Sequence, residues 1–167
     1  LRREPGRKGR LDGKMLTETV KRGGLKNTVC EMDEMPSCYT VERIKKLGMD
    51  GVKFMIRINP MDERSRHAVR YCADTVNEAE RAGLPVFIEA LYVENAEHGF
   101  VMKTDSESLC KVVGVVGALG CRASGKWIEV PLNSEYHIPV SATTCPVLVV
   151  PDETESDPVA VVREYTK

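Results

Sequence analysis

The chain has no C-x-x-C pair, no histidine within five residues of another, no secretory apolar segment at its start and almost no net charge. Its longest apolar stretches fall short of the roughly 18 residues a membrane helix needs. Each absence closes a class of function. Six scattered cysteines (Cys30, Cys38, Cys72, Cys110, Cys121, Cys145) without metal-ligand spacing argue against a zinc site and against a compact disulfide framework. They read as reduced, mostly buried thiols, so a cytoplasmic location is expected, with no metal and no cofactor. With 24 basic and 25 acidic residues the net charge is -1, which gives no general attraction for nucleic acid or an anionic membrane.

What is present suits one globular domain: 167 residues, 42% hydrophobic and 29% charged. Residues 1–13, with Arg2, Arg3, Arg7, Lys8 and Arg10, read as a basic flexible lead-in. From residue 14 to residue 167, β-favouring runs alternate with helical patterns, the signature of βα units around a parallel sheet. Strands are expected at Lys14–Val20, Gly51–Ile58, Leu84–Glu89, Lys126–Val130 and Cys145–Val150, the last apolar enough to be buried on both faces. Helices are expected at Val41–Leu47 (capped near Thr40 and stopped by Gly48) and at Glu63–Ala82 (closed by Gly83). A third runs from a cap at Thr104 or Asp105 to about Leu119, with Glu107 near the capping-box position, and a last one covers Asp157–Tyr165. Glu94–Gly99 reads as a polar loop, and a helical turn is expected near Glu135.

Strand parity places the chemistry. On Gly51–Ile58, Val52, Phe54, Ile56 and Ile58 share the face that must meet the helices, leaving Lys53, Met55 and Arg57 on the other. The same alternation sends Glu89, and Glu129 beside Trp127, to that second face. Four ionisable groups, Lys53, Arg57, Glu89 and Glu129, are therefore expected to converge, because isolated charges in an interior are too costly to be left alone. They either satisfy one another as structural ion pairs or form a site at the carboxyl ends of the strands. In the second case a desolvated lysine beside another cation is expected to have a depressed pKa, as an amine needs to form a Schiff base, with the carboxylates moving protons. Arg22-Gly23-Gly24 supplies backbone N–H groups and a guanidinium suited to an anionic group of a substrate, or simply marks a turn. His67 is expected on a helix surface, His98 in a loop and His137 near the catalytic face; Gly114 and Gly117 are expected to let a helix pack closely on the sheet.

Several runs in colinear order resemble the class I aldolase superfamily of deoxyribose-phosphate, tagatose-bisphosphate and bacterial class I fructose-bisphosphate aldolases, in its aldolase-like branch. They are Leu11-Asp12-Gly13-Lys14, Arg22-Gly23-Gly24-Leu25, Leu47-Gly48-Met49-Asp50-Gly51-Val52-Lys53, Ile58-Asn59-Pro60, Val86-Phe87-Ile88-Glu89 and Ala142-Thr143-Thr144-Cys145-Pro146-Val147-Leu148. The resemblance implies an α/β fold, a TIM-type (β/α)8 barrel, of which five strands corresponding to the third through seventh are present. It implies a lyase that cleaves or forms a C–C bond in a (phospho)sugar-type carbonyl substrate through a lysine. In that branch the sixth strand reads Trp, aliphatic, Lys, aliphatic, Pro, whereas here Trp127-Ile128-Glu129-Val130-Pro131 puts Glu129 in the place of the Schiff-base lysine. Lys126 has the opposite parity, while Lys53 matches a lysine on the family's fourth strand that assists the chemistry in relatives of the tagatose enzyme. The expected catalytic set is Lys53, Glu89 and Glu129, with Arg22, Gly23, Gly24 and Arg57 binding substrate. A degenerate homologue that binds a ligand or acts as an oligomeric scaffold is the alternative. Five strands cannot close such a barrel, so completion by another segment or association with a second copy is expected.

Overall fold

A computed structural model describes residues 40–63, 65–97 and 99–151. The lead-in, the expected strand Lys14–Val20, the Arg22-Gly23-Gly24 loop, His98 and the expected helix Asp157–Tyr165 lie outside the described residues.

The first described helix, α1 (Val41–Lys46), starts where the Thr40 hydroxyl accepts from the Arg43 N–H at 3.2 Å, and the chain leaves it through Gly48 at φ 65°. Strand β1 (Val52–Ile58) buries every second residue, and Asn59-Pro60 ends it. The Asn59 carboxamide oxygen then accepts from the Met61 N–H at 3.0 Å, turning the chain towards α2 (Ser65–Ala82). Helix α2 buries Cys72, Val76 and Ala79 at three- and four-residue steps along one face and is closed by Gly83 at φ 71°.

Strand β2 (Val86–Ala96) is much longer than expected, and the run read as a polar loop is the turn region of a hairpin with β3 (Gly99–Lys103). Parity could not reveal this hairpin because its outer half is exposed on both faces and requires no apolar alternation. Helix α3 (Ser106–Gly117) is capped by Asp105, whose carboxylate accepts from the Ser108 N–H at 2.9 Å. Glu107 pairs with Lys111 at 2.8 Å instead of completing a capping box. Then follow β4 (Lys126–Pro131), the short α4 (His137–Ser141) in place of the expected turn, and β5 (Val147–Val150).

The strands form one sheet in the order β1-β2-β4-β5, all parallel, with β3 antiparallel to β2. Tyr92 pairs with Ile58 along one edge of β2 and with Lys103 along the other, so β3 stands above β4, beyond the carboxyl end of that strand. Helices α1, α2 and α3 cover one face, where Phe54, Ile56, Ile88, Ile128, Cys72, Val112 and Val116 form the core. Gly117 lets α3 approach its neighbours, since a Cβ there would lie 2.7 Å from the Thr143 hydroxyl, whereas Gly114 has open space around it and is not needed for packing. Strand β5 is not buried on both faces: Leu148 is 36% and Val150 45% exposed, because β5 is the edge of the described sheet. Four parallel strands with helices on one face, joined in this order, form part of a TIM-type barrel.

Candidate lumen site

The face of the sheet turned away from the helices carries the charges, as parity requires. Lys53 on β1 reaches across β2 to β4: its ammonium lies 2.5 Å from the Glu129 carboxylate and 3.1 Å from that of Glu89. Glu89 and Glu129 are register partners, as are Phe87 and Trp127 in the layer below, whose rings stack at 6.1 Å and 18°. Lys53 is itself level with Phe87, so its aliphatic stem starts beside this aromatic wall and its head ends among the carboxylates. Arg57 is on the same face, level with Leu91 and further towards the carboxyl end. Of the residues expected to converge, the structure joins Lys53, Glu89 and Glu129 in one cluster.

Two expectations are corrected. Lys53 follows directly on the first residue of β1, so the cluster lies below the carboxyl rim of the sheet; parity assigns a face but not a depth. The Lys53 pKa is also raised, not depressed. Burial disfavours its charge, but the hydrogen bond to Glu129 and the fields of Glu89 and Glu129 outweigh that penalty. The expectation had taken a neighbouring cation as the dominant influence, and the structure puts two anions in contact with the amine instead.

Lys126 sits on the opposite face, only 3% exposed, and donates to the carbonyls of Gly117 (2.8 Å) and Leu119 at the end of α3. It is thereby removed as a lumen amine. His67 is exposed on α2, and His137, exposed at the start of α4, meets Tyr136 edge-on with ring centroids 6.2 Å apart. Two polar networks at the carboxyl rim were not anticipated from the sequence. In one, the Tyr92 hydroxyl donates to Asn59 at 3.2 Å and Asn95 donates to Asp62 at 3.0 Å, fastening the loop after β1 to β2. In the other, the Ser106 hydroxyl donates to Glu135 at 3.0 Å, and Asn133 donates to the Thr104 carbonyl at 2.8 Å. An asparagine shortly after a strand, Asn59 in one case and Asn133 in the other, is common to both, but nothing in the sequence names its partners. Among the described residues, no group of three or more His, Cys, Asp or Glu side chains could hold a metal ion. No described helix is long and apolar enough to cross a membrane.

A family model for Cgl0159-like proteins matches residues 8–167. The chain belongs to the Cgl0159-like family. Among solved structures, Cgl0159 from Corynebacterium glutamicum is 28% identical with a TM-score of 0.70, over 83% of this chain and 47% of that one. A Schiff base-forming fructose-1,6-bisphosphate aldolase is 16% identical with a TM-score of 0.61, over 78% of this chain and 50% of its own. An archaeal fructose-1,6-bisphosphate aldolase, solved with its catalytic lysine bound to the carbinolamine intermediate, is 18% identical with a TM-score of 0.55, over 70% and 44%. The chain thus spans about half the length of the solved structures it matches. A search of curated proteins found no match. The likeness to these fructose-1,6-bisphosphate aldolases, each under 20% identical, shows that the chain shares their fold.

Proposed function

We propose that this Cgl0159-like chain carries aldolase-type chemistry in its lumen, with Lys53 as the amine that attacks a (phospho)sugar-type carbonyl compound. The observation behind this reading is a lysine on the lumen face of the described strands with two carboxylates in hydrogen-bonding contact. Glu129 accepts a proton from the ammonium across their 2.5 Å hydrogen bond, leaving a neutral amine to attack the carbonyl carbon. The carbonyl oxygen takes up a proton to give a carbinolamine, and loss of water gives the iminium. Glu89 then removes the proton from the hydroxyl on the carbon beyond the one next to the iminium. The C–C bond breaks, its electron pair flows to the nitrogen as an enamine, and an aldehyde leaves. Protonation of the enamine carbon and hydrolysis return the lysine. Arg57, nearer the rim, holds an anionic group of the substrate, together with the Arg22-Gly23-Gly24 loop. The cysteine pattern fits a cytoplasmic setting for this reaction.

Because its charged form is favoured, Lys53 depends on this direct transfer to Glu129 and not on a lowered proton affinity. The test is borohydride reduction with a panel of sugar phosphates, followed by intact mass and peptide mapping. An adduct on Lys53, lost in Lys53→Ala, supports the reading; no adduct, or one that persists in Lys53→Ala, refutes it.

Glu129, standing where the resembling branch has lysine, favours a second reading. Here the cluster is a fixed ion-pair triad in a ligand-binding homologue without turnover. That reading expects thermal stabilisation by the same sugar phosphates with no covalent adduct.

A further inference from the structure

The β2–β3 hairpin rises beyond the carboxyl end of β4, and the lumen chemistry makes no use of it. In its register two residues separate Ala96 from Gly99. A two-residue connection closes on a hydrogen-bonded pair, and hydrogen-bonded and non-hydrogen-bonded pairs then alternate along the hairpin. Ala96–Gly99, Glu94–Val101 and Tyr92–Lys103 are therefore bonded pairs, while Asn95–Phe100 and Val93–Met102 are not. It follows that the N–H and C=O groups of Phe100 and Met102 point to the outer edge of β3. That edge has no partner strand among the described residues.

The side chains on this edge are apolar and open: Phe100 is 51%, Val101 50% and Met102 50% exposed. Edge strands are usually protected by a charge, a proline or a bulge. The charge available here, Lys103, is engaged within the hairpin by Glu94 at 3.4 Å. The outer edges of β1 and β5 are those along which a barrel closes, whereas β3 is clear of that closure.

We propose that the outer edge of β3 pairs antiparallel with the same strand of a second copy of this chain, about a two-fold axis at Val101. The sequence is self-complementary in this register. Phe100 and Met102 of one copy face Met102 and Phe100 of the other as hydrogen-bonded pairs, making a ring–thioether contact on each side of the axis. Lys103 falls opposite Gly99, so no like charges meet, and Val101 faces Val101 as a non-hydrogen-bonded pair. The hairpins become one four-stranded sheet. Phe100 and Met102 share parity with the lumen-side residues of β2, so the joined hairpins extend the carboxyl rims of both barrels.

The geometry supplies a direct test. A non-hydrogen-bonded pair brings Cα atoms to about 4.5 Å, within reach of a disulfide. In the 167-residue chain with Cys30, Cys38 and Cys121 changed to serine, Val101→Cys is expected to form a covalent dimer on mild oxidation, linked 101 to 101 by peptide mapping. Met61→Cys, at an 84% exposed position off the axis, serves as the control and is expected to remain unlinked. Met102→Pro removes an outward donor but none of the hairpin's own hydrogen bonds, and is expected to shift sedimentation from dimer to monomer with an unchanged far-UV spectrum. Cross-linking of Val101→Cys no greater than that of Met61→Cys, or a wild-type chain that sediments as a monomer, overturns the proposal. Neither result bears on the borohydride test, so the two readings fail separately.

Discussion

Replacing Lys53 by methionine keeps the aliphatic stem beside Phe87 and removes the only charge contacting both Glu89 and Glu129 among the described ion pairs. The two carboxylates, register partners on adjacent strands, are then left facing each other. Breaking a buried pair from one side costs about 3–5 kcal/mol. Side-chain exposures of 31% for Lys53, 26% for Glu89 and 13% for Glu129 admit some solvent, which reduces the expected loss to about 2–3 kcal/mol. With an ordinary urea dependence the unfolding midpoint should fall by about 1 M at unchanged slope. Adding Glu129→Gln to Lys53→Met removes the repulsion and should restore about 1 kcal/mol. The pH dependence has a definite sign. The folded-state pKa of Lys53 is raised above 10.5, so its contribution is complete below that pH and is lost as pH rises through the folded value. The gap between wild type and Lys53→Met should therefore narrow in strong alkali. Equal midpoints near neutral pH, or no recovery in the double variant, would refute the idea that the triad is electrostatically coupled.

Two further substitutions test the scaffold that holds the triad in place. Lys126→Met leaves the Gly117 and Leu119 carbonyls without their buried donor and should cost about 1–3 kcal/mol by the same denaturation assay, while leaving any lumen adduct intact. Gly120→Ala forces a side chain into a φ of 78° and puts its Cβ 2.7 Å from Val76 Cγ1 and 2.8 Å from Glu80 Oε1. It should cost about 1–3 kcal/mol, seen as a lower thermal midpoint; an unchanged midpoint would show that this turn relaxes freely.

The parallel strands and the lumen face were legible because burial on one face imposes a strict period of two, and Val52, Phe54, Ile56 and Ile58 obey it to the residue. Helix ends were legible where a single residue decides them, Thr40 and Asp105 through a capping side chain and Gly83 through its positive φ. The hairpin was hidden because Glu94, Asn95 and Glu97 look like loop residues when neither face of the strand is covered. Within the site, parity brought Lys53, Glu89 and Glu129 to one face, but the proton affinity of Lys53 was set by which neighbours lay within hydrogen-bonding distance. Parity cannot supply such distances. The exposure of β5 likewise depends on its position in the strand order, which a local run of valines does not encode.

Borohydride trapping of wild type, Lys53→Ala and Glu129→Lys side by side tests most directly the proposal that Lys53 is the reactive amine of an aldolase-type lumen. The expected result is an adduct on the wild-type chain that maps to Lys53 and disappears in Lys53→Ala. A wild-type chain without an adduct, beside a Glu129→Lys chain that gains one at position 129, would contradict it and leave Lys53 with a purely structural charge.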